Sequence, residues 1–132
     1  METPIIEVRH MCKTWGDHCV LNDVNLSVMK GDVFGILGLS GAGKSTLVRC
    51  INGLETPTVG DVCYGGTIIS APDVKTPREV RRKVAMIFQS FNLLQQRTAL
   101  GNVEFASEVN HIKDDSQAIK MLDLVGLKDK VS

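Results

Sequence analysis

The feature that most constrains this chain is a match, without a mismatch, to the phosphate-loop pattern G-x-x-x-x-G-K-[ST]. The matching residues are Gly38, Leu39, Ser40, Gly41, Ala42, Gly43, Lys44 and Ser45. Glycines in such a loop let successive backbone N–H groups turn toward an anion, and a helix that begins at Lys44 adds the positive end of its dipole. We expect the Lys44 ammonium to reach the β- and γ-phosphates of a nucleotide and the Ser45 hydroxyl to join a Mg²⁺ shell.

The hydrophobic pattern around the loop predicts an α/β fold. Residues 6–10 and 24–28 alternate apolar and polar side chains, which is typical of half-buried strands. Residues 33–37 and 84–88 are continuous apolar runs, which predict strands buried on both faces in a parallel sheet. The other predicted elements are helices over residues 44–52, 76–82, 98–110 and 115–125 and a hairpin that joins 62–64 to 67–69.

Local residues also predict where the helices begin and end. Thr76 and Glu79 have the spacing of a capping box, with Pro77 at the first helical position. Gly53 and Gly126 follow helical patterns, as C-terminal caps do. The first of these glycines ends the helix that leaves the phosphate loop.

Composition narrows the class of protein further. The chain has 132 residues, enough for one domain, and 43% of them are hydrophobic, which argues against disorder. Fifteen basic residues balance fifteen acidic ones, so the zero net charge argues against a strongly basic nucleic-acid binder. The apolar run at residues 33–39 is far too short to span a membrane, and no signal peptide is expected. Cysteines at positions 12, 19, 50 and 63 form no Cys-x-x-Cys pair, so we expect reduced thiols and no zinc site.

Residues outside the phosphate loop distinguish among nucleotide-binding families. Small kinases carry the loop on their first strand, whereas here two predicted strands come before it. With the stretches Lys13-Thr14-Trp15-Gly16, Lys30-Gly31-Asp32 and Met86-Ile87-Phe88-Gln89, the chain resembles an ATP-binding cassette (ABC) ATPase over nearly its whole length. A small-molecule kinase is set aside because the sequence offers neither a phosphoacceptor site nor a lid.

The resemblance implies a fold and a division of the chain. The fold is that of a P-loop NTPase, with a RecA-like core, an antiparallel β subdomain and the start of a helical subdomain. Residues 1–132 then form a partial, truncated ABC ATPase domain. Residues 1–90 are its nucleotide-binding core with the β subdomain and Q-loop, and residues 91–132 begin its helical subdomain.

The resemblance also implies roles for single residues, with ATP and Mg²⁺ as cofactors. Trp15 occupies the position of an aromatic residue that stacks on adenine; the alternative is a core or interface tryptophan. Thr46 is expected to meet the α-phosphate. Gln89 occupies the position of the Q-loop glutamine, which touches Mg²⁺ or the attacking water, so Ser45 and Gln89 are the expected metal contacts. A polar strand end is the alternative interpretation of Gln89.

Family members of this kind work with partners at a membrane. The resemblance implies transmembrane permease subunits, a second copy of the ATPase subunit, no nucleic acid, and a peripheral place at the cytoplasmic face of a bacterial membrane. Residues 45–52, 91–94, 97–98 and 101–103 resemble more finely the ATPases of bacterial methionine importers. Relatives that import other amino acids or export lipoproteins share much of this pattern, so the cargo stays open.

Three family motifs are absent from residues 1–132. They are the Leu-Ser-Gly-Gly-Gln signature, the strand that ends in the Mg²⁺-binding Asp and catalytic Glu, and the switch histidine. We therefore expect this chain to bind ATP without a complete catalytic set. Because two strands of the family's sheet would come after Ser132, we expect residues 33–37 and 84–88 to have open edges and the isolated chain to be poorly stable. A truncated, non-hydrolytic nucleotide-binding module or gene remnant is the alternative function.

Overall fold

The structure is a computed structural model that describes residues 2–39, 41–88, 92–112 and 116–130. The chain divides into two compact units, Met1–Met86 and Ile87–Ser132. The phosphate loop and the strands lie in the first unit, and the helices that follow residue 98 lie in the second. Each unit is described by itself below.

The first unit is built on a four-stranded antiparallel sheet with the strand order β2-β1-β3-β4. Its strands are β1 (Ile6–Trp15), β2 (His18–Val28), β3 (Val59–Tyr64) and β4 (Thr67–Ser70). The predicted hairpin is confirmed, because β3 and β4 are joined through the two glycines at positions 65 and 66. In this order β1 and β3 are the inner strands of the sheet.

Strand β1 is longer than the predicted strand over residues 6–10. The reason is a bulge: the pairing of β1 with β2 shifts between Val8 and Met11, and His10 has a φ of 47°. A bulge inserts an extra residue and so breaks the strict alternation of apolar and polar side chains. Both Val8 and Met11 are therefore buried although they are three positions apart, a spacing that would put them on opposite faces of a regular strand.

The helix after the phosphate loop, α1 (Lys44–Ile51), packs against β1 and β2. Its buried side chains, Leu47 and Cys50, meet the sheet's inner face. The C-terminal cap is confirmed: Gly53 has a φ of 82°, and the N–H of Leu54 donates to the Arg49 carbonyl at 2.9 Å. The core cluster of this unit comprises Val8, Met11, Leu21, Leu47, Cys50, Val62 and Ile69.

The short helix α2 (Arg78–Arg81) forms where a helix was predicted, but its capping box does not. Pro77 is the residue at the N-cap, and no side chain caps the helix. The Thr76 side-chain oxygen is buried and has no hydrogen-bond partner among the described residues. The prediction of a capping box was wrong because the Thr76 side chain packs against Gly53, so its hydroxyl does not cap the helix.

The two predicted buried strands are a second correction. Residues 33–37 and 84–88 are described, and they form neither a strand nor a ladder with any other described residue. Val33, Leu37 and Ile87 are almost fully exposed instead of buried. A strand requires a neighbouring backbone for its hydrogen bonds, and no described segment supplies one. The RecA-like core, which needs a parallel sheet, therefore stays a prediction.

The second unit consists of short helices. They are α3 (Ala99–Val109), α4 (Ser116–Leu124) and a 3-10 turn at Lys128–Lys130. The predicted start of α3 is confirmed, since the Thr98 hydroxyl accepts a hydrogen bond from the Gly101 N–H at 3.0 Å. The predicted stop at Gly126 is confirmed by its φ of 78° and by the Leu127 N–H, which donates to the Leu122 carbonyl at 2.7 Å.

A mostly apolar cavity of about 620 Å³ lies within this second unit. It is lined by Leu93, Leu94, Gln95, Arg97, Ala99, Asn102, Val103, Leu122 and Leu127. The Asn102 side chain holds the segment before α3 in place with two hydrogen bonds. Its amide oxygen accepts from the Leu94 N–H at 2.7 Å, and its amide nitrogen donates to the Thr98 carbonyl at 2.9 Å. No helix in the described part of the chain is long and apolar enough to cross a membrane.

Candidate nucleotide-binding site

The phosphate loop leads directly into α1, as the sequence pattern requires. The Ala42 N–H donates to the Leu39 carbonyl at 3.0 Å, which closes the loop into a turn. The Lys44 ammonium folds back over this turn and donates a hydrogen bond to the Gly38 carbonyl. The side chain that is expected to bind phosphate is thus already bent over the loop, with a backbone oxygen as its partner.

Gly43, at the end of the loop, lies close to the sheet. Its φ is 89°, a left-handed conformation that favours glycine. A Cβ atom at this position would lie 2.9 Å from the Leu21 Cδ2 atom and 3.1 Å from the Val20 carbonyl oxygen. The phosphate-loop pattern requires a glycine at this position for a steric reason, because the end of the loop lies directly against β2.

The start of α1 presents backbone donors at the loop. The helical ladder begins with the Leu47 N–H, which donates to the Gly43 carbonyl at 2.9 Å. The N–H groups of Lys44, Ser45 and Thr46 come before that first bond, and such groups suit an anion at the positive end of the helix dipole. The Ser45 side chain is exposed and Thr46 is half-buried. These features fit a bound phosphate chain.

Trp15 lies at the end of β1, opposite His18. Its side chain is 49% exposed and does not belong to the buried core, so a large part of the ring is open to solvent. The Lys13 ammonium lies 4.4 Å from the centre of the ring, within the range of a cation–π contact. An exposed aromatic ring supported from within the protein is suited to stacking, although adenine stacking stays a prediction.

Lys13 is a residue of this region that analysis of the sequence did not single out for a role. Only 12% of its side chain is exposed, and its ammonium donates to the Thr56 carbonyl at 2.8 Å and lies 3.7 Å from a Glu55 carboxylate oxygen. Lys13 and Trp15 are two positions apart in β1, but the pairing of β1 with β2 shifts between Lys13 and Thr14, so strict alternation does not predict their contact. No local pattern in the sequence indicated it.

Two predicted site residues, Ser40 and Gln89, lie outside the described residues, so the interpretation of Gln89 as a Mg²⁺ contact stays a prediction. In the described part of the chain, no group of three or more His, Cys, Asp or Glu side chains has the arrangement of a metal site. Ser45 at the helix start is the described residue that was predicted to contact Mg²⁺.

The titratable side chains with shifted pKa values lie away from the phosphate loop. The hydrogen bond from exposed His10 to Asp23, at 2.8 Å, lowers the pKa of that carboxyl group. Burial raises the pKa of the thiols of Cys50 and Cys63, which keeps both thiols protonated. All four cysteines are free, as predicted.

Comparison with known proteins decides the family. A sequence model of the family described as "ABC transporter" matches residues 21–132, which include the phosphate loop, residues 21–86 of the first unit and the whole of the second. The chain belongs to the ABC transporter family. The resemblance inferred from the loop and its flanking residues is thereby confirmed.

This ABC chain is also similar to named relatives. It is 41% identical to the methionine import ATP-binding protein of Brucella abortus, over 98% of this chain and 36% of the relative. The corresponding protein of Lactobacillus johnsonii is 42% identical over 95% of this chain and 38% of the relative. That of Oenococcus oeni is 50% identical over 85% of this chain and 33% of the relative. The chain therefore spans about a third of the length of the curated relatives it matches.

Proposed function

We propose that this ABC chain is the ATP-binding part of a subunit that energises a membrane importer, with methionine or a related amino acid as the cargo. Family membership supports the first half of this statement, and the names of the similar relatives support the second. The subunit would act as a pair of copies that bind transmembrane permease subunits at the cytoplasmic face of the membrane. This part of the proposal rests on the family alone.

The observation that carries ATP binding is the geometry of the phosphate loop at the start of α1. Lys44 extends back over the loop to the Gly38 carbonyl, and the first N–H groups of the helix precede its hydrogen-bond ladder. A phosphate oxygen is a stronger partner for an ammonium group than a neutral carbonyl, because the acceptor is charged. A nucleotide would therefore replace the Gly38 carbonyl as the partner of Lys44.

The position of Trp15 supports a nucleoside triphosphate over a free phosphate ion. Gly43 lies beside Val20 of β2, and Val20 is two residues along the strand from His18, which pairs with Trp15. Two residues of a strand cover about 7 Å. The backbone of Trp15 and the end of the loop thus both lie beside the short stretch His18–Val20 of β2, and we infer that a single extended ligand spans them.

Each predicted site residue binds a different part of the nucleotide. The phosphate loop and Lys44 bind the phosphate chain, Thr46 contacts the α-phosphate, and Trp15 stacks on the base. Ser45 and Gln89 would hold the Mg²⁺ ion, which supplies charge neutralisation between the outer phosphates when it is bound. Gln89 would place the attacking water in the complete subunit.

The test is Mg-ATP binding before and after Lys44→Ala. We expect the substitution to weaken binding at least a hundredfold, because it removes the charged hydrogen bond that is made to the outer phosphates, worth about 3 kcal/mol. Lys75→Ala is the matched control, since it removes an exposed lysine from the segment between β4 and α2 and should leave the affinity unchanged. Equal affinity of the Lys44→Ala variant and the parent would refute the proposal.

Two further measurements separate the finer claims. Methionine uptake by cells that carry the complete subunit should be lost with Lys44→Ala; uptake that persists would contradict the assignment of the cargo. ATP binding without release of phosphate by the purified 132-residue chain would favour the alternative function, a non-hydrolytic nucleotide-binding module.

A further inference from the structure

The contacts of Lys13 link two parts of the candidate site. Its side chain is largely buried, and its ammonium forms an ion pair with Glu55 that is longer than a hydrogen bond, with the carboxylate oxygen at 3.7 Å. The ammonium also donates to the Thr56 carbonyl at 2.8 Å and lies 4.4 Å from the centre of the Trp15 ring. A cation that is removed from water in this way interacts more strongly with an aromatic face than an exposed one.

Trp15 needs such a support because of its place in the chain. It is the last residue of β1, and Gly16 follows it in the turn to β2. Residues at the end of a hairpin have fewer neighbours than those in the middle of a sheet, and the ring is half exposed. The contact with Lys13, two residues earlier in β1, restricts where the ring can lie.

The other contact of Lys13 leads to the helix that carries the phosphate loop. Thr56 follows the C-terminal turn of α1, where the N–H groups of Leu54 and Glu55 donate to the Arg49 carbonyl at 2.9 and 3.1 Å. The segment that Lys13 binds is therefore fixed to the end of α1. The same helix begins at the phosphate loop.

We propose that Lys13 is a positioning residue that holds the Trp15 ring in place for the base and fixes it relative to α1 and its phosphate loop. This inference rests on the proposed ATP binding. Lys13 would act through Trp15, and the open part of the ring remains available to the base. The consequence is specific: Lys13 should contribute to the binding of ligands that contain a base, and not to the binding of the phosphate chain alone.

The experiment compares Mg-ATP with inorganic tripolyphosphate as ligands, with binding measured by calorimetry. Lys13→Met keeps an unbranched apolar stem, in a side chain one atom shorter than that of lysine, but removes the charge. We expect Mg-ATP to bind about 3- to 30-fold more weakly, the range that corresponds to a cation–π contact of partly buried groups. Tripolyphosphate should bind as it does to the parent, and Lys13→Arg should restore most of the affinity for ATP. Lys75→Met is the control for the loss of one positive charge.

A second measurement does not depend on the ligand. Trp15 is the sole tryptophan of the chain, and Trp15→Phe identifies its share of the fluorescence in a longer protein. In the ligand-free state, Lys13→Met should lower the fluorescence anisotropy of Trp15, because the ring gains freedom, while Lys13→Arg and Lys75→Met should not.

The outcomes separate this inference from the proposed function. If Lys44→Ala abolishes ATP binding but Lys13→Met changes neither the affinity for ATP nor the anisotropy, the role of Lys13 is refuted and the proposed function stands. Equal weakening of ATP and tripolyphosphate by Lys13→Met would also refute it, since that result indicates a general structural role. A parent protein that binds no ATP would overturn both.

Discussion

Gly53, which follows α1, shows the effect of a single absent Cβ atom. Its φ of 82° is left-handed, and an added Cβ would lie 2.3 Å from the Thr76 side-chain oxygen and 2.6 Å from the Thr76 Cβ. Gly31 has a similar φ of 89°, but an added Cβ would meet no atom within 4 Å. The two glycines thus have the same backbone requirement and differ in crowding.

We predict that Gly53→Ala destabilises the first unit by about 1–3 kcal/mol more than Gly31→Ala. Both variants incur the strain of a left-handed alanine, about 1–2 kcal/mol, but only Gly53→Ala overpacks the contact with buried Thr76. Urea unfolding followed by Trp15 fluorescence would measure the difference. Equal urea midpoints for the two variants would show that the structure around Thr76 accommodates the added methyl group without loss of stability.

At the scale of elements, α1 is joined to the sheet by few side chains. Leu47 is 6% exposed and packs in the core cluster, whereas Leu54, just beyond the helix, is 57% exposed. Leu47→Ala should lower the free energy of unfolding by about 2–5 kcal/mol, because it leaves a cavity between the helix and the sheet. Leu54→Ala, the same chemical change at an exposed site, should cost about 0.5 kcal/mol or less. Similar losses in urea unfolding would mean that Leu47 does not anchor the helix.

Whether an element could be predicted from the sequence depends on where its hydrogen bonds are made. Helix α1 and the start of α3 at Thr98 were predictable, because a helix and its caps are satisfied by residues close in sequence. The phosphate loop was recognisable for the same reason, and so was the hairpin with two glycines. Residues 33–37 have a strand composition, but the structure contains no partner strand for them in its described part. Composition can predict that a segment is suited to a sheet, but it cannot predict whether a partner strand is present.

The candidate nucleotide-binding site also combines features that local sequence predicts with features that depend on distant residues. Lys44 and the loop could be assigned from a local pattern, whereas the contact of Lys13 with Thr56 joins residues that are 43 positions apart. Nothing in the local sequence specifies that distance. The bulge at His10 had a similar effect on β1, because the shift in register that buries Met11 is set by pairing with β2. Long-range contacts of this kind are the part of the site that required a structure.

At the scale of the whole molecule, two features combine. Fully exposed apolar side chains lie on segments whose backbones form no strand, and Val33 and Ile87 are the most exposed examples. The formal net charge is zero, and the isoelectric point is near 6.8. Apolar segments with unpaired backbone groups can pair with another chain, and the absence of net charge removes the repulsion that opposes association.

We therefore predict that the 132-residue chain self-associates most strongly near pH 6.8 and less at pH values well above or below it. Light scattering at constant protein concentration would measure this dependence. The double variant Val33→Ser/Ile87→Ser should reduce the scattering severalfold, because it removes apolar side chains from segments with unpaired backbone.

The double variant Val109→Ser/Leu124→Ser is the matched control. Both side chains are exposed, but they lie on α3 and α4, whose backbones are already paired. If the two double variants reduce scattering equally, total exposed apolar area causes the association and the unpaired segments have no special part in it. A monodisperse chain at pH 6.8 would refute the prediction altogether.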